Sequence, residues 1–165
     1  MVTSTPRRPS RALVAIYQRL VNPVIRLAVL RLGAGASGVK PLAILRVQGR
    51  KTGRVREVPV GIVALDEHRY VMTMLGDAQW ARNLRAAGGG QLVSGKSARE
   101  VTAREITGQE KTAFLARCCQ HRQWERPARI ALKSAFGRTV KHLGEPEIDL
   151  LGRVWFVFQL LDATI

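Results

Sequence analysis

The chain has 165 residues, 46% of them hydrophobic and 24% charged, which is ordinary for a globular protein and enough for one domain. Lys and Arg number 27 against 12 Asp and Glu, and the resulting +15 attracts polyanions: nucleic acid, acidic lipid or a multiply charged small molecule. No apolar run reaches the ~18 residues of a membrane span, and Arg19, Arg26 and Arg31 interrupt the stretch that a signal peptide would need, so both are excluded.

The charge is uneven. The first 56 residues hold twelve of the cations and no Asp or Glu. Residues 1–9 read as a disordered basic tail. Ser10 caps a helix from Arg11 to Val21, and Asn22-Pro23 opens a second that the glycines of "GAGASG" stop after Leu32. If 10–32 is one kinked amphipathic helix, Arg11, Gln18, Arg19, Asn22 and Arg26 share a face. Two readings stay open: a helix packed on the domain with a solvated Arg face, or one that also makes a peripheral contact with anionic lipid.

The period then changes from helical to alternating. "PLAILRVQG" (41–49) reads as a strand, "KTGR" (51–54) as a turn and "VREVPVGIVAL" (55–65) as a second strand, with Pro59 marking an edge or a bulge. After the turn at Asp66–His68, "RYVMTML" (69–75) is a third strand, with Met72 and Met74 on one face and Val71 and Thr73 on the other. A short helix starts at Asp77 or Ala78 and ends at Gly88–Gly90. Trp80, Asn83 and Leu84 share one of its faces, with Asn83 and Arg82 expected at the rim. "QLVSG" and "SAREVTAREI" give two strands, Thr107 caps a helix to about Gln120, and 121–143 is helical in pieces, one of them opened by Pro127. "RVWFVFQLL" (153–161) is a final strand. Many short antiparallel strands with few helices point to an α+β barrel closed at its ends by helices.

The two cysteines, Cys118 and Cys119, are adjacent, so they neither bridge each other nor make a zinc site alone; they read as buried side chains in a reducing cytoplasm. No His, Cys, Asp and Glu spacing signals a metal, and no nucleophile–base pair is recognisable. If the chain is an enzyme, its chemistry resides in a cofactor and no catalytic residue is assigned.

"GRKTGRVREVPV" (49–60) carries the charge that matters. It is not a Walker loop, because Arg50 precedes Lys51-Thr52 and strands lie on both sides. A turn of small residues and cations can still hold a phosphate through its backbone N–H groups, the Thr52 hydroxyl, Lys51 and Arg56.

Taken in order, "GRKTGRVREVPV", "RYVMTMLGDAQWARNLRAAGGG" and "REVTAREIT" resemble the deazaflavin-dependent nitroreductase family of split-barrel oxidoreductases. The resemblance runs over roughly 41–109, with a similar closing strand at 154–161. It implies a six-stranded antiparallel split β-barrel like that of the pyridoxamine-phosphate oxidases and FMN-binding proteins. It also implies coenzyme F(420), a deazaflavin with a phosphate and an acidic tail. By that likeness Lys51, Thr52 and Arg56 hold the phosphate and tail, with Arg50 and Arg54 beside them. Val58, Pro59 and Val60 pass beside the ring, Met74, Leu75 and Gly76 meet its other edge, and Trp80 and Asn83 close on the cofactor. The implied reaction is hydride transfer to a small, apolar, electron-poor substrate, as in nitro- or ene-reduction. The implied protein is a cytoplasmic or membrane-associated enzyme, monomeric or homodimeric. The alternatives are FMN or haem in the same barrel, or a basic nucleic-acid-binding module. Against the last, aromatic residues are 5% of the chain and no recognition-helix or RNP pattern appears, so no specific nucleic acid is expected.

Overall fold

Along β1 (Leu42–Gln48), Ala43, Leu45 and Val47 alternate with Leu42, Ile44 and Arg46, so one set enters an interior and the other stays on the outer face. The computed structural model describes residues 42–73 and 78–162. The expectations for the basic tail, for the helices of 10–32 and for Met74, Leu75 and Gly76 lie outside those residues. Five more strands follow: β2 (Val55–Leu65), β3 (His68–Met72), β4 (Gly89–Ser94), β5 (Ser97–Ile106) and β6 (Val157–Asp162). They close in the order β1-β2-β3-β6-β5-β4, every neighbour antiparallel. With the helices α1 (Gln79–Ala87), α2 (Gly108–Cys119), α3 (Arg122–Phe136) and α4 (Glu145–Val154), this is the α+β split barrel.

The split lies between β2 and β3. β2 pairs with β1 from Val55 to Gly61, but with β3 only from Ile62 to Leu65. Pro59 therefore sits in the half of β2 that has a single ladder partner, where its missing N–H is tolerated. Beyond its pairing with β2, β3 stays with the other wall: the Thr73 N–H donates to the Phe156 carbonyl (2.9 Å) and the Phe156 N–H donates to Thr73 Oγ1 (2.9 Å).

Two cores share the strands. Leu45, Val60, Ile62, Val71, Leu92, Phe158 and Leu160 fill the barrel, and Ala81 and Leu84 of α1 plug its end. On the outer side, Tyr70, Met72, Ile106 and Val157 pack against Phe114, Leu115, Trp124, Leu132, Leu151 and Trp155 of the helical layer. The Tyr70 and Phe114 rings lie 4.5 Å apart, centroid to centroid.

Two expectations need correction. Pro127 does not open a helical piece: it lies inside the continuous α3. Burying Trp124, Ala128, Ala131, Leu132 and Ala135 outweighs the one backbone hydrogen bond that proline forgoes. The last strand does not begin at Arg153, because α4 runs through Val154. Gly144 and Glu147 cap that helix, with the Gly144 N–H donating to Glu147 Oε2 (3.1 Å), and Ile148, Leu151 and Val154 give it a buried stripe.

Close strand packing sets glycine requirements. A Cβ on Gly90 would stand 2.4 Å from the Arg46 carbonyl oxygen, a backbone atom that cannot step aside. Gly90→Ala is expected to cost about 1–3 kcal/mol, as overpacking does, read as a lower denaturant midpoint with an unchanged slope. Cys118 and Cys119 are both buried and free, and burial pushes the Cys119 thiol up to about 11, so it stays protonated at neutral pH. A thiol reagent at neutral pH is expected to react with both cysteines only once the chain is unfolded.

Candidate functional site

The β1–β2 turn and α1 meet at the end of the barrel where the split opens. Residues 49–54 form the turn. The Gly53 N–H donates to the Gly49 carbonyl (2.8 Å), the Gly49 N–H to the Arg54 carbonyl (2.9 Å) and the Thr52 N–H to the Gly49 carbonyl (3.3 Å). Gly53 takes φ +67, which a side chain would resist, and so the chain can reverse within a few residues. The Arg54 N–H turns inward to Thr52 Oγ1 (3.4 Å).

This narrows the backbone N–H groups that could cradle an anion to that of Lys51. Those of Gly49, Thr52, Gly53 and Arg54 bond within the turn, and that of Arg50 reaches Asn83 Oδ1 (3.4 Å). Apart from the Lys51 N–H, the donors that the turn turns outward are side chains. Thr52 Oγ1 accepts one bond and keeps its hydrogen to donate. Thr52 Oγ1 and Arg56 Cγ lie 3.3 Å and 3.8 Å from where a Gly49 Cβ would stand, so the absence of a side chain at 49 lets the hydroxyl and the Arg56 stem come together.

The five cations that the sequence places in and beside the turn divide in two. Arg46 pairs with Glu57 (2.8 Å), its direct cross-strand neighbour, and donates to Gln91 (3.0 Å). Arg50 reaches the other way. Its guanidinium donates from Nη1 to Gln79 Oε1 (3.0 Å) and to Asn83 Oδ1 (3.1 Å), two amides one turn apart on α1. Lys51, Arg54 and Arg56 are exposed and have no acidic partner among the described residues.

Asn83 is not at the rim. It is 8% exposed, buried with Ala81 and Leu84, and its oxygen is taken by Arg50. Trp80 packs on Phe158, ring centroids 6.1 Å apart, and so covers the barrel mouth. At the other end of α1, Arg85 pairs with Glu105 (2.8 Å) and lies over the Phe156 ring (5.1 Å). Glu105 and Arg85 hold the C-terminal half of α1 as Arg50 holds its start, a clamp that no spacing in the sequence announced.

Along β2, Val58 and Val60 face the barrel while Pro59 faces outward opposite Ile44. The three therefore do not share one surface. Val60 is buried, and Val58 retains partial exposure beside the split. No group of three metal-ligating side chains occurs among the described residues.

A family model described as F420H(2)-dependent quinone reductase matches residues 14–126. No curated protein matches the chain. Among solved structures, an F420-H2 dependent reductase (FDR-A) is 16% identical over 73% of this chain and 94% of its own, with a TM-score of 0.47. A conserved hypothetical protein, Rv2991, from Mycobacterium tuberculosis is 13% identical over 99% of this chain and 86% of its own, with a TM-score of 0.45. HutZ, the heme storage protein from Vibrio cholerae, is 14% identical over 96% and 93%, with a TM-score of 0.41.

Removing the Asn83 oxygen leaves Arg50 without its buried partner. Asn83→Ala is expected to cost about 1–3 kcal/mol, seen in the denaturation midpoint. Asn83→Asp, which keeps an acceptor and adds charge to the bond, is expected to retain most of the stability at neutral pH.

Proposed function

The chain belongs to the F420H(2)-dependent quinone reductase family and is an F420-dependent oxidoreductase, and from that premise we propose that it reduces a quinone, or a similarly apolar and electron-poor acceptor, at the barrel mouth beside α1. The single observation that carries the placement is the division of the turn's cations: among the described residues, Lys51, Arg54 and Arg56 are left without acids next to the Thr52 hydroxyl.

These residues fit the anionic parts of a deazaflavin. Three cations and one hydroxyl donor suit a phosphate followed by an acidic tail, and none of them has a carboxylate among the described residues to surrender first. In this reading Lys51, Thr52 and Arg56 hold the phosphate and Arg54 meets the tail. Arg50 keeps α1 seated on the turn. Val58 and Trp80 offer apolar surface at the split, where a flat ring can lie out of water, and Asn83 acts through Arg50. The segment with Met74, Leu75 and Gly76 is assigned to the ring's edge by resemblance alone. When bound, the reduced deazaflavin supplies a hydride, which with one proton from solvent takes a quinone to its hydroquinone and leaves the cofactor oxidised.

Fluorescence titration tests the placement. The oxidised deazaflavin is expected to bind in the micromolar range, since two or three partly exposed charge contacts suffice for about 8 kcal/mol together with ring burial. Lys51→Ala and Arg56→Ala are each expected to weaken it about fivefold to tenfold and to flatten its salt dependence. Absence of binding, or equal affinity for FMN, overturns the proposal.

A further inference from the structure

Away from the barrel mouth, a second group of cations is left without acids. On α3 the buried stripe of Trp124, Ala128, Ala131, Leu132 and Ala135 faces the helical core. The opposite face shows Arg126, Arg129, Ile130 and Lys133, all exposed, and Ile130 keeps 52% of its surface in solvent. The helix ends at Gly137 (φ +70), and Arg138–Leu143 folds back beside it, held by Arg129 Nη2 donating to the Lys141 carbonyl (2.6 Å). That bond brings Arg138 and Lys141 to the flank of the same face.

On the neighbouring helices cations have acids: Arg117 of α2 with Asp66 and Arg153 of α4 with Asp149. Arg126, Lys133, Arg138 and Lys141 have none among the described residues. Arg129 meets Glu125 at 3.4 Å, and the next acids, Glu145 and Glu147, begin α4, where Glu147 turns back to the Gly144 N–H.

We propose that this face of α3 docks on an anionic lipid bilayer. The charge is complementary to acidic headgroups, and an exposed isoleucine ringed by long cationic stems suits the boundary between headgroup and acyl chain. A nucleic-acid surface fits less well, because the face exposes no aromatic ring on which a base could stack. The proposal stands independently of the cofactor site, since it uses none of its residues.

The test uses the full chain and phosphatidylcholine vesicles with and without phosphatidylserine. The wild type is expected to bind the anionic vesicles only. R126Q/K133Q is expected to bind about 25-fold more weakly, from roughly fivefold per cation. The charge-matched variant K96Q/R99Q, which neutralises two exposed and unpaired cations of the β4–β5 hairpin, is expected to stay near wild type. Ile130→Ser is expected to remove the binding that persists at high salt. All these side chains are exposed, so denaturation midpoints should not move. Failure of the wild type to bind, equal losses in the two double variants, or displacement from the vesicles by single-stranded RNA would each overturn the proposal.

Discussion

Strands β3 and β6 are apolar on both faces, and the molecule depends on that constraint. Val71 and Phe158 face the barrel, while Tyr70, Met72 and Val157 face the helices. A sheet with only one covered face would leave one of these rows in water. The two walls must therefore be clad together, so the helical layer and the barrel are expected to lose their order in one step. The same constraint explains where the barrel can open. β3 is committed to β6, through the Thr73 and Phe156 bonds at the site end, and it is β2 that parts from it.

Charge is managed by placement more than by number. Exposed ion pairs such as Arg117–Asp66 or Arg104–Glu110 contribute little to stability. Arg117 nonetheless holds the Asp66 carboxyl below the ordinary carboxylate range, and Arg104 does the same for Glu110. What these pairs do is remove most acids from circulation. Among the described residues, cations without an acidic partner include Lys51, Arg54 and Arg56 on the β1–β2 turn, Arg126 and Lys133 on α3, and Lys96 and Arg99 on the β4–β5 hairpin. A net charge of +15 is in this sense two or more local surfaces.

Much of this was legible beforehand. The alternation of "AILRV" and "VREVPV" marked their strands, because period-two burial leaves a period-two sequence. The short helix that the sequence ends at Gly88–Gly90 does end at Gly88, which takes the left-handed conformation there. Two local features misled. Pro127 carries a helix-opening signal that the buried stripe of α3 overrides, and "RVWFVFQLL" reads as unbroken strand because its first residues are apolar for a helical reason. At the site, the types of residue were readable and their allegiances were not. Nothing in the order Gly49-Arg50-Lys51-Thr52 says that Arg50 turns toward the amides of Gln79 and Asn83 while Lys51 points to solvent. That choice is made by the docking of α1, some thirty residues away in the chain.

Four of the turn's N–H groups, those of Gly49, Thr52, Gly53 and Arg54, bond within the turn, and that of Arg50 bonds to Asn83. Its backbone is consequently ordered without a ligand, and binding at the proposed site would incur little loop-ordering cost. Under the proposed reading, recognition would rest mainly on long side chains with many rotamers on a fixed platform. Such an arrangement would be tolerant: a rigid loop would set where the first anion sits, while mobile cations could follow acidic tails of different length or path without the fold adjusting to each.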